Sequence, residues 1–135
     1  MSFKFDKQAV INYRLQRAQE TLSDAHLLFK QGGSLWSVVN RAYYAMFYAV
    51  LALLTSIGKG ASKHSGVIAL FDQHFVKPGH FPKEMSKAIH KVFDLRQMGD
   101  YREFFTLDKE QVQEVLDLAD SFVEKAKDFL EKEER

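Results

Sequence analysis

Apolar residues recur along most of this chain at steps of three and four, the spacing that gathers side chains on one face of an α-helix. Ile11, Leu15, Ala18, Leu22, Ala25 and Phe29 form the first such stripe and predict a helix over about residues 7 to 31, with Asp6 placed to cap its start and Gly32 its end. The run LWSVVNRAYYAMFYAVLALLTSI is apolar on nearly every side and predicts a central helix over about 34 to 57 that must be covered on more than one face. A third helix is expected to begin near Ser62 or Lys63, to bury Val67, Ile68, Phe71 and Phe75, and to end at Pro78 and Pro82, which lack the amide hydrogen a helix needs. Met85, Ala88, Ile89, Val92 and Phe93 predict a fourth from Lys83 to about Gln97, with Gly99 marking its exit and DYREFFT following as an irregular turn. Val112, Val115, Ala119, Phe122, Ala126 and Phe129 predict a fifth to about residue 131, opened by Asp108 and Gln111 at capping-box spacing or by Thr106 slightly earlier.

No segment alternates with period two between hairpin turns, so the fold class is all-α, an up-and-down bundle of four to five helices. At 135 residues, 46% of them apolar, the chain is expected to form a single domain over 1–135 with a substantial core. The second helix is long enough to span a bilayer, but Asn40 and Arg41 inside it and its mid-segment aromatics favour a buried core helix, and no membrane partner is expected. Cysteine is absent, which excludes disulfides, thiolate metal sites and cysteine nucleophiles. The start of the chain lacks a signal-peptide pattern, so a cytoplasmic location is expected.

Charge changes the picture because it is uneven. Residues 1–67 carry eight basic and three acidic side chains, and residues 68–135 carry eleven basic and fifteen acidic. With a net charge of only +1, any site for a polyanion is expected to be local. The five histidines show no metal-ligand spacing, and neither a metal nor a cofactor is expected. Lys63 and His64, where the third helix begins, suit either an anion contact or a structural cap. Arg41, following Asn40 in an apolar helix, is expected to find a carboxylate, with Asp100 preferred to Asp94. Arg96, Asp100 and Tyr101 form the densest polar group: arginine suits phosphate, and tyrosine offers a ring and a hydroxyl. They are expected to line a cleft with Arg41 beneath and His64 at its rim. The rival reading is that these groups only satisfy one another.

The segments NRAYYAMFYAVLALL, KHSGVIALFDQHFVK and LRQMGDY, in that order and followed by a long amphipathic helix, resemble the small HEPN proteins, the higher-eukaryote and prokaryote nucleotide-binding helical family. The resemblance covers about residues 8 to 130. It implies a helical bundle, commonly a homodimer, often paired with a minimal nucleotidyltransferase as toxin and antitoxin. Ribonuclease members carry an arginine followed four to six residues later by a histidine. Here Arg96 matches the arginine, but no histidine follows it. The resemblance therefore implies a non-catalytic module that binds a nucleotide, RNA or a nucleotidyltransferase. The alternative is a metal-independent ribonuclease toxin that uses Arg96 with Asp100 or Tyr101 in place of histidine. The expected dimer contacts are Tyr44 and Tyr48 on the second helix and the segment Tyr101 to Phe105.

Overall fold

The computed structural model describes residues 5–134, and within them every regular element is helical. Helix α1 spans Lys7–Lys30, α2 Leu35–Ser56, α3 His64–Phe71, α4 Lys83–Met98 and α5 Lys109–Glu134. The caps follow the local chemistry. Asp6 accepts from the Ala9 amide at 3.0 Å. Asp108 and Gln111 bond reciprocally, with the Gln111 amide on the Asp108 carboxylate at 2.8 Å and the Asp108 amide on the Gln111 side chain at 2.9 Å, so Thr106 does not cap. Gly32, just past α1, has φ +76°, a conformation side chains other than glycine rarely adopt.

Helix α2 is the axis of the bundle. It packs against α1, α3, α4 and α5, and 13 of its 22 residues are buried. By length and composition it is the one helix among the described residues that would suit a membrane, yet its apolar surface is consumed inside the bundle. The cover that α2 needs thus comes from within the chain, most of it from α1 and α5. The core continues through Phe71, Phe75, Phe81 and Phe122, whose rings meet at centroid distances from 5.3 to 6.1 Å.

Two connections differ from their sequence reading. Helix α3 runs into a π-helical turn, Asp72–Val76, in which the Lys77 amide reaches the Asp72 carbonyl at 2.8 Å. Through this wide turn Phe75 stays as buried as Phe71, and Pro78 follows it. At the other joint Gly99 does not break the backbone. Its φ of −60° and ψ of −20° are helical, and a 3₁₀ segment continues over Gly99–Phe104, with the departure from helical geometry at Tyr101. Glycine at 99 permits a close approach, since a Cβ there would stand 3.3 Å from the Trp36 ring and the indole would have to give way slightly.

Candidate functional site: a guanidinium cleft between α2 and the end of α4

The polar start of α2 and the last turn of α4 meet around a cleft of about 360 Å³, lined by Trp36, Ser37, Asn40, Arg41, Arg96, Gly99, Asp100, Arg102 and Leu28 of α1. The close approach of Gly99 to Trp36 brings the two helix ends together, and helical periodicity puts Ser37, Asn40 and Arg41 on one side of α2.

Arg96 is the centre of the site. Its Nε donates to Asn40 Oδ1 at 3.3 Å and an Nη to the Tyr44 hydroxyl at 3.4 Å, and its guanidinium lies 5.6 Å from the Tyr44 ring centre and 5.8 Å from that of Tyr43. Amide, hydroxyl and π-face hold the cation in place without cancelling its charge. No carboxylate lies within ion-pair distance of Arg96, Arg41 or Arg102 among the described residues.

Behind Arg96 stands an aromatic layer. Tyr43 is fully buried, and its hydroxyl lies 2.9 Å from His64 Nδ1. Burial pushes the Tyr43 pKa up, Arg96 opposing and Tyr44 adding to the rise, so the hydroxyl keeps its proton. Burial, with Arg96 second, pushes the His64 pKa down. The neutral imidazole therefore accepts at Nδ1 the proton that Tyr43 donates. The His64 ring stacks on Phe47 at 4.1 Å.

Of the residues singled out from sequence, Asn40, Arg41, Arg96 and Asp100 meet at the cleft. His64 is not among the residues that line the cleft; its ring packs against Tyr43 and Tyr44, the two tyrosines that also flank Arg96. Lys63 is exposed at the N-cap of α3 with no side-chain hydrogen bond. Tyr101 is 60% exposed and does not line the cleft, because the backbone turns away there. The expected Arg41 carboxylate is a correction: Arg41, Asp94 and Asp100 are all exposed, and no ion pair forms, because Arg41 falls on the solvent side of α2. Sequence reasoning missed Tyr43 and Tyr44 as site residues, although their positions three and four after Asn40 put them on its face. It also missed Trp36, Ser37 and Arg102.

Two of the histidines outside the site tie elements together: His26 pairs with Asp120 and His90 with Asp72, each at 2.7 Å. Among the described residues no group of three or more histidine or acidic side chains is placed to hold a metal. A second depression, about 300 Å³ at the opposite end of the bundle, has a floor of Ile11, Phe75, Phe129 and Leu130 and no guanidinium. Arginine chemistry is thus concentrated around α2.

An all-helical bundle with an arginine cleft at the end of its fourth helix defines a class, and the comparisons agree with it: residues 11–130 match the HEPN domain, and the chain belongs to that family. It is 42% identical to a UPF0332 protein of Thermotoga maritima over 126 residues, 93% of this chain and 95% of the relative. Two proteins of Methanocaldococcus jannaschii named as candidate toxins are 34% and 30% identical, covering 93% and 86% of this chain and 92% and 78% of their own lengths.

Proposed function

We propose that this chain is a cytoplasmic binding module of a toxin–antitoxin-like pair, which takes the phosphate of a nucleotide or RNA at Arg96 and does not cleave it. The observation that carries this reading is the uncancelled charge of Arg96, held at fixed geometry by Asn40, Tyr43 and Tyr44 and open to a polar cleft. A guanidinium in that state offers a donor fork matched to phosphate oxygens. The candidate-toxin names of two relatives support the toxin–antitoxin setting. Binding is favoured over cleavage because the cleft lacks a general base held against the arginine: Asp100 is exposed without a hydrogen-bond partner, Tyr101 points elsewhere, and His64 is committed to Tyr43.

A minimal nucleotidyltransferase is the proposed protein partner, in keeping with the resemblance. A homodimer is proposed through Tyr101, Phe104 and Phe105, exposed at 60%, 74% and 42%, since aromatics are effective interface anchors. Sedimentation at micromolar protein is expected to give twice 15.6 kDa, and a mass that stays at 15.6 kDa on concentration removes the dimer.

The deciding experiment titrates purified protein into labelled RNA at low salt and follows the RNA on a gel. Wild type is expected to bind without cutting, and Arg96→Ala to lose at least about tenfold in affinity with the melting temperature nearly unchanged. Absence of binding, or an Arg96→Ala variant that unfolds, removes the reading. Cutting that Arg96→Ala abolishes replaces it with the ribonuclease.

A further inference from the structure

The Arg96 cleft is one end of a longer feature. Asn40, Tyr44, Tyr48 and Thr55 recur at steps of four and seven along α2 and so share one flank. Three arginines from other helices reach it in order. Arg96 bonds Asn40 and Tyr44. Arg17 of α1 donates to the Tyr48 hydroxyl at 3.1 Å with its guanidinium 5.0 Å from the ring centre. Arg14 of α1 donates to the Thr55 hydroxyl and the Leu51 carbonyl.

The Arg17–Tyr48 pair repeats the Arg96–Tyr44 arrangement one helical turn further on, a rise of about 6 Å, and the two tyrosine rings lie 6.0 Å apart. That is a spacing of about one nucleotide along an extended strand. As at Arg96, no carboxylate lies within ion-pair distance of Arg17 or Arg14 among the described residues. Arg17 uses one of its five N–H donors on Tyr48, which leaves the rest of the fork for an anion. One turn before Arg17, Tyr13 is 63% exposed and stacks on no other ring among the described residues.

We propose that the α2 flank from Arg96 to Arg17 is a track for single-stranded nucleic acid, in which Arg17 on Tyr48 takes the phosphate next to the one at Arg96 and Tyr13 stacks on a base. The inference rests on the reading of the Arg96 cleft as a phosphate site and extends it from a mononucleotide to a strand. A row of cations beside a free aromatic ring suits a single strand, whereas a duplex keeps its base faces stacked inside.

The test measures fluorescence anisotropy with a labelled oligouridylate about twelve nucleotides long, within the range of known single-strand sites. Unlabelled uridine monophosphate and a duplex of the same length serve as competitors. Arg17→Met is expected to weaken oligouridylate binding about tenfold and to flatten the slope of log affinity against log salt by about 0.7, the release expected for one single-strand phosphate. Tyr13→Ala is expected to weaken it at least about fivefold. Neither is expected to change competition by the monophosphate, which reaches only Arg96, and the duplex is expected to compete poorly. If Arg17→Met unfolds the protein, Tyr13→Ala, altering an exposed ring, carries the test alone. Oligouridylate binding that depends on Arg96 but is indifferent to Tyr13→Ala and to a folded Arg17→Met overturns the track and leaves the cleft standing. So does a duplex that competes as well as the single strand. Flank variants that change the sedimenting mass with no effect on nucleic acid make the flank an interface between copies. If wild type binds neither oligouridylate nor monophosphate, the cleft reading fails and the track with it.

Discussion

Two lysines at α5 meet carboxylates, whereas the guanidiniums seated along α2 meet neutral groups. Lys91 of α4 reaches Glu114 of α5 at 2.6 Å, His26 of α1 reaches Asp120 of α5, His90 reaches Asp72, and Lys127 stands 3.9 Å from Glu131 within α5. On α2 the partners of Arg14, Arg17 and Arg96 are hydroxyls, an amide, a carbonyl and three tyrosine faces. The Lys91–Glu114 pair and the arginine seats both join helices, but only the pair neutralises charge. The acidic α5 thus pairs some of its lysine neighbours with carboxylates, and the α2 flank has guanidiniums positioned by neutral groups alone. A local anion site on a protein of net charge +1 needs such a division.

The residue that joins the two regions is Tyr43, packed in the core behind Arg96. Tyr43→Ala is expected to destabilise the protein by about 3 to 5 kcal/mol, the cost of truncating a large buried ring, and to loosen Arg96 as well. Tyr43→Phe keeps the ring and loses only the bond to His64, so about 1 kcal/mol is expected. Chemical denaturation of the two variants separates packing from hydrogen bonding. A Tyr43→Ala loss below about 1 kcal/mol would mean that the layer does not support the cleft.

On the acidic side the largest local effect belongs to the cap of α5. Asp108→Ala is expected to cost about 1 kcal/mol and to leave nucleotide or RNA binding unchanged, since the cap is remote from the α2 flank in chemistry. A denaturation midpoint shift with altered affinity would show that the two regions are coupled.

That cap was legible in the sequence because both halves of the reciprocal bond lie within four residues of one another. The same holds for Asp6 at α1, for Gly32 and for the amphipathic stripes, all set by local spacing. The π turn was not legible, since Phe71 and Phe75, four residues apart, share a face in an ordinary α-helix as well, and the local pattern carries no mark of the wider turn. Gly99 was seen as a break in the helix, whereas its role comes from Trp36, distant in sequence. The site was half legible for a related reason. Arg96 and Asn40 stood out by type, but α2 is apolar nearly all round, so its pattern does not say which flank faces solvent. Arg41 was accordingly given a buried partner it does not have, and Tyr44 and Tyr48 looked like contact surface rather than seats for two arginines.

Removing a neutralised cation sharpens the comparison from its weaker end. Lys91→Met breaks an exposed pair, with Lys91 53% and Glu114 59% exposed, and is expected to cost under about 1 kcal/mol. It is also expected to leave RNA affinity and its salt slope as in wild type, in contrast to Arg96→Ala. Equal losses of affinity in the two variants would mean that binding follows total charge rather than the α2 flank.

The smallest expected effect is a pH dependence that reports on Arg96 from behind. His64 has its pKa lowered, first by burial and second by Arg96, so the folded protein favours the neutral imidazole. Below the ordinary histidine pKa of about 6.5, the unfolded state then binds more protons than the folded one. The stabilisation is fully present above that pH and is lost as pH falls through the folded value. Protonation also removes the acceptor that the Tyr43 hydroxyl uses and sets a second cation near Arg96. A negative ligand on Arg96 offsets its repulsion and is expected to raise the His64 midpoint. Arg96→Ala is expected to raise it too, but not all the way to the ordinary value, because burial remains. An NMR titration of the His64 ring in wild type and Arg96→Ala reads this directly. Identical midpoints would show that the charge at Arg96 is not felt through the tyrosine layer, and would leave His64 a part of the core alone.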